Sequence, residues 1–152
     1  FEQPVNGFDL VSMVECNNVC SIPIGADEGL HSLSDIQKHH DLGAAQGGSL
    51  KLIKFGGTNQ LMAAGNLMYS LGMNINLAGK AANTSIGSAA TAHLSIALPS
   101  LQWDVSISSQ YLSDDIVRSP VEVINGHIIT PNDGPGLGVV IDEEKIAKYK
   151  KI

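Results

Sequence analysis

The 152 residues are 43% hydrophobic and 16% charged, with a formal net charge of −6, a composition that supports a buried core and excludes intrinsic disorder. The nine Lys and Arg residues are scattered apart from a small cluster at Lys145–Lys151, so no basic stripe is available for a nucleic acid. The best apolar run, Ala89–Leu98, is too short to cross a bilayer and contains His93, and no leader pattern of basic then apolar residues is present. Cys16 and Cys20, the only cysteines, fit neither a zinc nor a thioredoxin spacing. Two reduced structural thiols in a cytoplasmic protein are the expectation.

In chain order, Phe1-Glu2-Gln3-Pro4 reads as the end of a strand, followed by a helical pattern over Asp9–Asn17. Strand-type runs are expected at Ser21–Ala26, Ser49–Ile53, Met73–Leu77 and Leu101–Ile107. Helices are expected between them. Leu33–Leu42 has Ser32 or Ser34 as a cap and Gly43 beyond its end; Asn59–Leu71 follows Thr58 and stops at Gly72; Ser85–Leu98 stops at Pro99. Strand starts recur at a period close to the roughly 30 residues of one βα unit in an eight-stranded barrel. Alternation of this kind implies an α/β protein with a parallel sheet and helices packed outside it. Side-chain alternation in the second strand predicts Leu50 and Leu52 toward the helices, with Lys51 and Ile53 on the opposite side. The tail differs: Val121–Ile124 and His127–Thr130 flank the hairpin dipeptide Asn125-Gly126. A tight glycine loop then spans Asp133–Gly138, read as a structural turn because it lacks the lysine and strand-to-helix context of a phosphate loop. Asp142 is expected to cap a short amphipathic helix reaching about Lys150.

Five strands at most cannot close an eight-stranded barrel, and an open half-barrel exposes its edges and inner face. The chain therefore reads as about strands four to eight of a (β/α)8 barrel with their helices, plus the hairpin and short helix. Residues 1–152 are expected to be the C-terminal part of a barrel domain, with three earlier strands supplied by residues outside this chain or by another chain.

Active sites of parallel barrels lie at the C-terminal ends of the strands. Glu2, Asp27 and Lys51 fall at the equivalent place of three successive units, each about 25 residues from the next. Two carboxylates on adjacent strand ends suit a hard cation such as Mg²⁺. A lysine near a metal and partly desolvated can serve as a base. Taken singly, Glu2 could be a solvated residue, Asp27 a helix cap and Lys51 a snorkelling edge lysine; their common period favours a barrel enzyme dependent on a metal.

Phe1-Glu2-Gln3-Pro4 resembles the strand-four motif of the mandelate racemase and muconate-lactonizing enzyme group of the enolase superfamily. Pro23-Ile24-Gly25-Ala26-Asp27-Glu28 is similar to its strand-five motif, Leu50 to Gly57 to its strand-six motif, and Pro135-Gly136-Leu137-Gly138 to its C-terminal one. The resemblance implies that Glu2 and Asp27 are two of three carboxylate ligands of Mg²⁺ (or Mn²⁺), and that Lys51 is the acid/base lysine. It makes Glu28 and Lys54 residues that orient the site. It also makes residues 1–152 the C-terminal part of the catalytic barrel domain, with the third carboxylate (strand three), the partner lysines (strand two) and an N-terminal capping domain before Phe1. The implied chemistry is removal of a proton α to a carboxylate, giving an enediolate that the metal stabilises. A lysine base favours the muconate-lactonizing branch, and His93, mid-helix, is structural.

Asn83-Thr84-Ser85-Ile86-Gly87 carries Asn83 where that branch often has Glu, and Trp103-Asp104-Val105-Ser106 carries Ser106 where cycloisomerases often have Glu. The latter is closer to the pattern of amino-acid racemases. Asp104 could bind a cationic ammonium group or be an ordinary loop carboxylate, and Lys80 could line the pocket or face solvent. The expected activity is that of an isomerase, a racemase, epimerase or cycloisomerase of a small carboxylate or amino-acid derivative, in a homo-oligomer of the full-length protein. A dehydratase of a sugar acid or hydroxy acid would need the same metal site. Taken alone, the segment lacks one ligand and one lysine and is expected to be inactive.

Overall fold

The computed structural model describes residues 1–132 and 134–150, which form two compact units. Asp133, at the start of the expected glycine loop, and Lys151, at the end of the basic cluster, lie outside the described residues. The first unit comprises Phe1–Ala78 and Ala97–Ser106, the second Gly79–Ile96 and the residues from Ile107 onward.

The first unit is built on a parallel sheet in the order β1 (Gly25–Ala26), β2 (Gly47–Leu50), β3 (Asn74–Ala78), β4 (Val105–Ser106). Glu2 adds a parallel bridge to Gly25, so five consecutive segments of chain run side by side. Helices α1 (Leu10–Val19), α2 (Leu33–Asp41), the single turn α3 (Leu52–Phe55) and α4 (Thr58–Ser70) alternate with the strands. This is the strand–helix alternation of the C-terminal part of a (β/α)8 barrel. Helices α1 and α2 start where a side-chain oxygen accepts from a free backbone amide, whereas α3 and α4 start without a side-chain cap. Asp9 accepts from the Ser12 amide at 3.0 Å, and Ser32 and Asp35 exchange hydrogen bonds in a reciprocal cap of α2. Met13, Ile24, Leu30, Ile36, Leu50, Leu61, Met68, Ile75 and Leu77 are fully buried in this unit. Burial of side chains this size contributes about 1.5–3 kcal/mol each. Among the described residues no helix is long and apolar enough to cross a membrane.

The strands are shorter than their apolar runs suggest. The first is confined to Gly25–Ala26, because Ser21, Ile22 and Pro23 are exposed and Pro23 has no amide to donate to a ladder. The second starts earlier than Ser49 and ends at Leu50; Lys51 is still extended, but Leu52 and Ile53 belong to α3, so the expected alternation stops there and Ile53 is exposed. Gly56, in the left-handed conformation (φ 74°), terminates that turn. The fourth is reduced to two residues by Asp104, whose φ of 63° interrupts an extended run. Thr58 is the first residue of α4 rather than its cap, and Gly57 occupies the cap position.

On the inner side of the sheet the Trp103 ring lies across β1 and β2. A Cβ placed on Gly25 would come 2.9 Å from the indole, and one on Gly47 would come 2.7 Å from it and also strike the Asn74 carbonyl oxygen. Glycine is required at both positions by this close approach.

In the second unit α5 (Ser85–Ala97) packs Ala89 with Ile107 and Val121, and Val123, Ile128, Leu137 and Val139 close over them. The expected hairpin is present as β5 (Val123–Ile124) and β6 (His127–Ile128), joined by Asn125 and Gly126 at φ 51° and 79°. A short 3-10 turn covers Ser109–Tyr111. His93 projects from α5 to the Leu137 carbonyl at 3.1 Å, a structural tie as its mid-helix position suggests. Asp142 caps α6 (Glu143–Tyr149), accepting from the amides of Glu144 and Lys145.

Replacing Gly25 with Ala should destabilise the intact protein by roughly 1–3 kcal/mol, the usual cost of overpacking. A Trp103→Leu background should relieve that loss but not the loss caused by Gly47→Ala, where backbone is also struck. Denaturant unfolding followed by circular dichroism measures both; equal relief at the two glycines would show that the indole alone sets the constraint.

Candidate active site

Parallel register decides which side chains meet. Ser49 is paired with Asn76, and Asp27 lies one step beyond the Ala26–Gly48 pair, so Asp27, Ser49 and Asn76 share a level on adjacent strands. Leu50 points into the core, and Ser49 and Lys51 therefore project from the opposite side. Glu2 sits beside Gly25.

Asp27 is the centre of this group. Its carboxylate accepts from Lys51 Nζ at 2.5 Å through Oδ2 and from Lys54 Nζ at 2.8 Å through Oδ1. Lys54 also donates to the Asp27 carbonyl at 2.8 Å and to the Ser49 carbonyl at 2.6 Å, so all three ammonium protons are engaged. Lys51 has Asp27 as its one partner among the described residues. The two lysines are therefore unequal: Lys54 is a bolt between the ends of β1 and β2, while Lys51 keeps two N–H bonds for another group. Burial acts to raise the Asp27 pKa, but the hydrogen bonds and charges of Lys51 and Lys54 outweigh it and hold the carboxyl below its ordinary value. At Lys54 the balance is reversed: burial lowers its pKa more than Asp27 raises it, and the Lys51 charge adds to the lowering. The pairing thus appears as stabilised charge on the carboxylate and as a desolvation cost on the lysine.

Glu2 accepts from the Ser49 hydroxyl at 2.5 Å, within the range of a hydroxyl bonded to an ionised carboxylate. Ser49 also lies 3.1 Å from Asn76 Oδ1, and Asn76 Nδ2 donates to the carbonyls of Trp103 and Asp104 at 2.9 and 3.1 Å. Glu2, Ser49, Asn76 and Trp103, with Phe1 and Pro23, line a cavity of about 370 Å³. Gln3 fixes the loop that carries Asp27, its side-chain oxygen accepting from the amides of Asp27 at 2.7 Å and Gly29 at 3.1 Å.

The other candidate residues are placed differently. Glu28 is exposed and its side chain makes no hydrogen bond or ion pair among the described residues, its charge reaching Lys54 only weakly. Asp104 is exposed, and it is its carbonyl, accepting from Leu77 N and Asn76, that is engaged. Ser106 is exposed in β4. Lys80 and Asn83 belong to the second unit, where Lys80 is exposed and its carbonyl accepts from the Ser108 hydroxyl, and the Asn83 amide group packs on Gly87.

Gln3, Ser49 and Asn76 were not singled out by sequence. Ser49 could have been, since it lies two residues before Lys51 and so on the same side of one strand. Asn76 stands between buried Ile75 and Leu77 in a strand whose polar and apolar residues alternate.

Among the described residues no cluster of three or more His, Cys, Asp or Glu side chains is gathered for a metal. Glu2 and Asp27 nevertheless offer hard oxygen donors on adjacent strands, and the Lys51 ammonium on Asp27 marks where positive charge is favoured. These donors fit Mg²⁺ as part of a ligand set, the remaining oxygens to come from water, substrate or other residues.

Residues 1–145 match the family model described as enolase C-terminal domain-like. The chain is 28% identical over 151 residues to muconate cycloisomerase 1 of Pseudomonas putida, covering 99% of this chain and 40% of that protein. It is 31% identical over 155 residues to o-succinylbenzoate synthase of Geobacillus kaustophilus, covering 97% and 39%. The crystal structure of 2-chloromuconate cycloisomerase from Rhodococcus opacus superposes with a TM-score of 0.93 at 27% identity, covering 99% of this chain and 41% of that one. The chain thus spans about two fifths of the length of these relatives.

Because the Asp27 pKa is lowered on folding, its ion pairs stabilise the protein fully above the ordinary carboxyl value of about 3.9, and that stability is lost as pH falls through the lowered one. Lys54→Met should move the Asp27 pKa upward and start acid unfolding at a higher pH than in the parent. An unchanged acid limb in a pH series of denaturant midpoints would show that Lys54 does not hold this charge.

Proposed function

The chain belongs to the enolase C-terminal domain-like family, and on that premise we propose that it carries the acid/base half of a Mg²⁺-dependent isomerase that removes a proton α to a carboxylate. The observation that carries this reading is the inequality of the two lysines on Asp27. Lys54 is saturated by three acceptors and is held to position Asp27, whereas Lys51, with one partner, is the residue able to exchange a proton with a bound substrate.

In this reading Glu2 and Asp27 hold the cation, as two carboxylates of a set completed by a segment preceding this one in the full-length enzyme. When bound, Mg²⁺ supplies positive charge to the substrate's carboxylate oxygens as the α-proton leaves. Lys51 is the group that takes the α-proton and returns it, and Asp27 stabilises the ammonium while the proton is held. Lys54 keeps Asp27 turned toward Lys51, and Gln3 keeps the Asp27 loop from moving. Asp104, exposed just before β4, is the carboxylate assigned in this reading to a cationic group, which suits an amino-acid derivative. The substrate class is a small carboxylate; two of the relatives are named cycloisomerases, which supports isomerisation, and the third is named a synthase, which keeps loss of a hydroxyl group as the second reading.

Incubating the intact protein with Mg²⁺ and candidate carboxylates in D₂O should exchange the α-hydrogen, read by NMR. Lys51→Ala should lower exchange by about 10²–10⁴-fold, the usual contribution of a positioned base, while leaving Mg²⁺ affinity in place. Exchange that survives this substitution removes Lys51 from the mechanism, and accumulation of a 2-keto acid would make the enzyme a dehydratase instead. Glu2→Gln and Asp27→Asn should each weaken Mg²⁺ binding in calorimetry; unchanged affinity would sink their role as ligands.

A further inference from the structure

Three oxygens converge at Glu2, Ser49 and Asn76, and counting protons fixes how they are connected. Asn76 uses both amide hydrogens on the Trp103 and Asp104 carbonyls, which orients its Oδ1 toward Ser49. Ser49 is 3% exposed and has a single hydroxyl proton facing two acceptors, Glu2 at 2.5 Å and Asn76 at 3.1 Å. The hydroxyl proton is shared in a three-centre bond, chiefly with the nearer Glu2 carboxylate and more weakly with Asn76 Oδ1. The Glu2 side chain is otherwise exposed, so free rotation of an exposed glutamate is opposed at this one point.

We propose that Ser49 and Asn76 are positioning residues for Glu2, forming a relay from the backbone at Trp103 and Asp104 through Asn76 and Ser49 to the Glu2 carboxylate. The relay runs from β3 to β2 at the Asn76–Ser49 level and then past β1 to Glu2, whose backbone pairs with Gly25. It makes the segment before β4 a support for a side chain near the start of the chain. Its effect on cation binding rests on the reading of Glu2 as a ligand, while its existence does not. Two consequences follow. The Glu2 carboxylate should meet a cation already oriented, and a change at Glu2 should be felt at Trp103, the only tryptophan.

The test compares Mn²⁺ affinity of the intact protein, measured by electron paramagnetic resonance, in parent, Ser49→Ala, Ser49→Thr, Glu2→Gln and the Ser49→Ala/Glu2→Gln pair. Residues that orient a metal ligand typically change affinity by about 10–100-fold, so Ser49→Ala should weaken Mn²⁺ by about 10-fold. Ser49→Thr, which keeps the hydroxyl, should restore most of it, and Ser49→Ala should add little once Glu2 is Gln. Weaker binding in Glu2→Gln with unchanged binding in Ser49→Ala overturns the positioning role and leaves the ligand reading intact. Unchanged binding in Glu2→Gln overturns the ligand reading, and the relay is then decided without metal. In the metal-free protein Glu2→Gln should shift Trp103 emission, and Asn76→Ala should abolish that shift. Identical emission in the parent and Glu2→Gln proteins overturns the relay.

Discussion

The arrangement at the strand ends depends on one buried ammonium. Lys54 joins the Asp27 carboxylate, the Asp27 carbonyl and the Ser49 carbonyl, so a single charged group fastens the ends of two adjacent parallel strands. Parallel strands this short have few ladder bonds of their own, and the register of β1 on β2 extends over only two residue pairs. The lysine extends that register with side-chain donors. Its burial is unfavourable by itself and is offset because every proton has an acceptor. With Lys54 fixed, Asp27 has one oxygen committed and one available, and Lys51 is drawn to the available one.

This division of labour is why two lysines three residues apart act differently. Lys51 closes the extended segment and Lys54 lies in the turn of helix that follows, so they approach Asp27 from different directions and reach different oxygens. A continued strand over Leu52 and Ile53 would have put Lys54 on the core side by alternation. The turn of α3, ended by Gly56 in a left-handed conformation, is what brings it back to the strand ends.

The parallel alternation, the hairpin at Asn125-Gly126 and the common period of Glu2, Asp27 and Lys51 are legible in the amino-acid sequence, because hydrophobic period and turn chemistry are local. The strand ends are not. Asp104 at positive φ, the exposed Ser21–Pro23 stretch and the turn at Leu52 all depend on contacts made elsewhere in the unit. Ser49 and Gln3 are equally hard to see. A serine in a strand and a glutamine before a proline have many uses, and only their partners, 47 residues away for Ser49 and 24 for Gln3, give them meaning. Lys80 and Asn83 lie in the second unit, where helix packing and loop hydrogen bonds account for their surroundings.

The indole that rests on Gly25 and Gly47 comes from far downstream of both. The β1–β2 ladder itself involves no residue of the Trp103 segment, so the glycine track along those strands is covered only by a contact of long sequence separation. Only when the segment leading into β4 docks does the ring cover that track and, through Asn76, complete the support beneath Glu2. The cavity is therefore completed by a long-range closure, whose loop entropy is met by the indole's contact with the glycines, and not by the short strands alone.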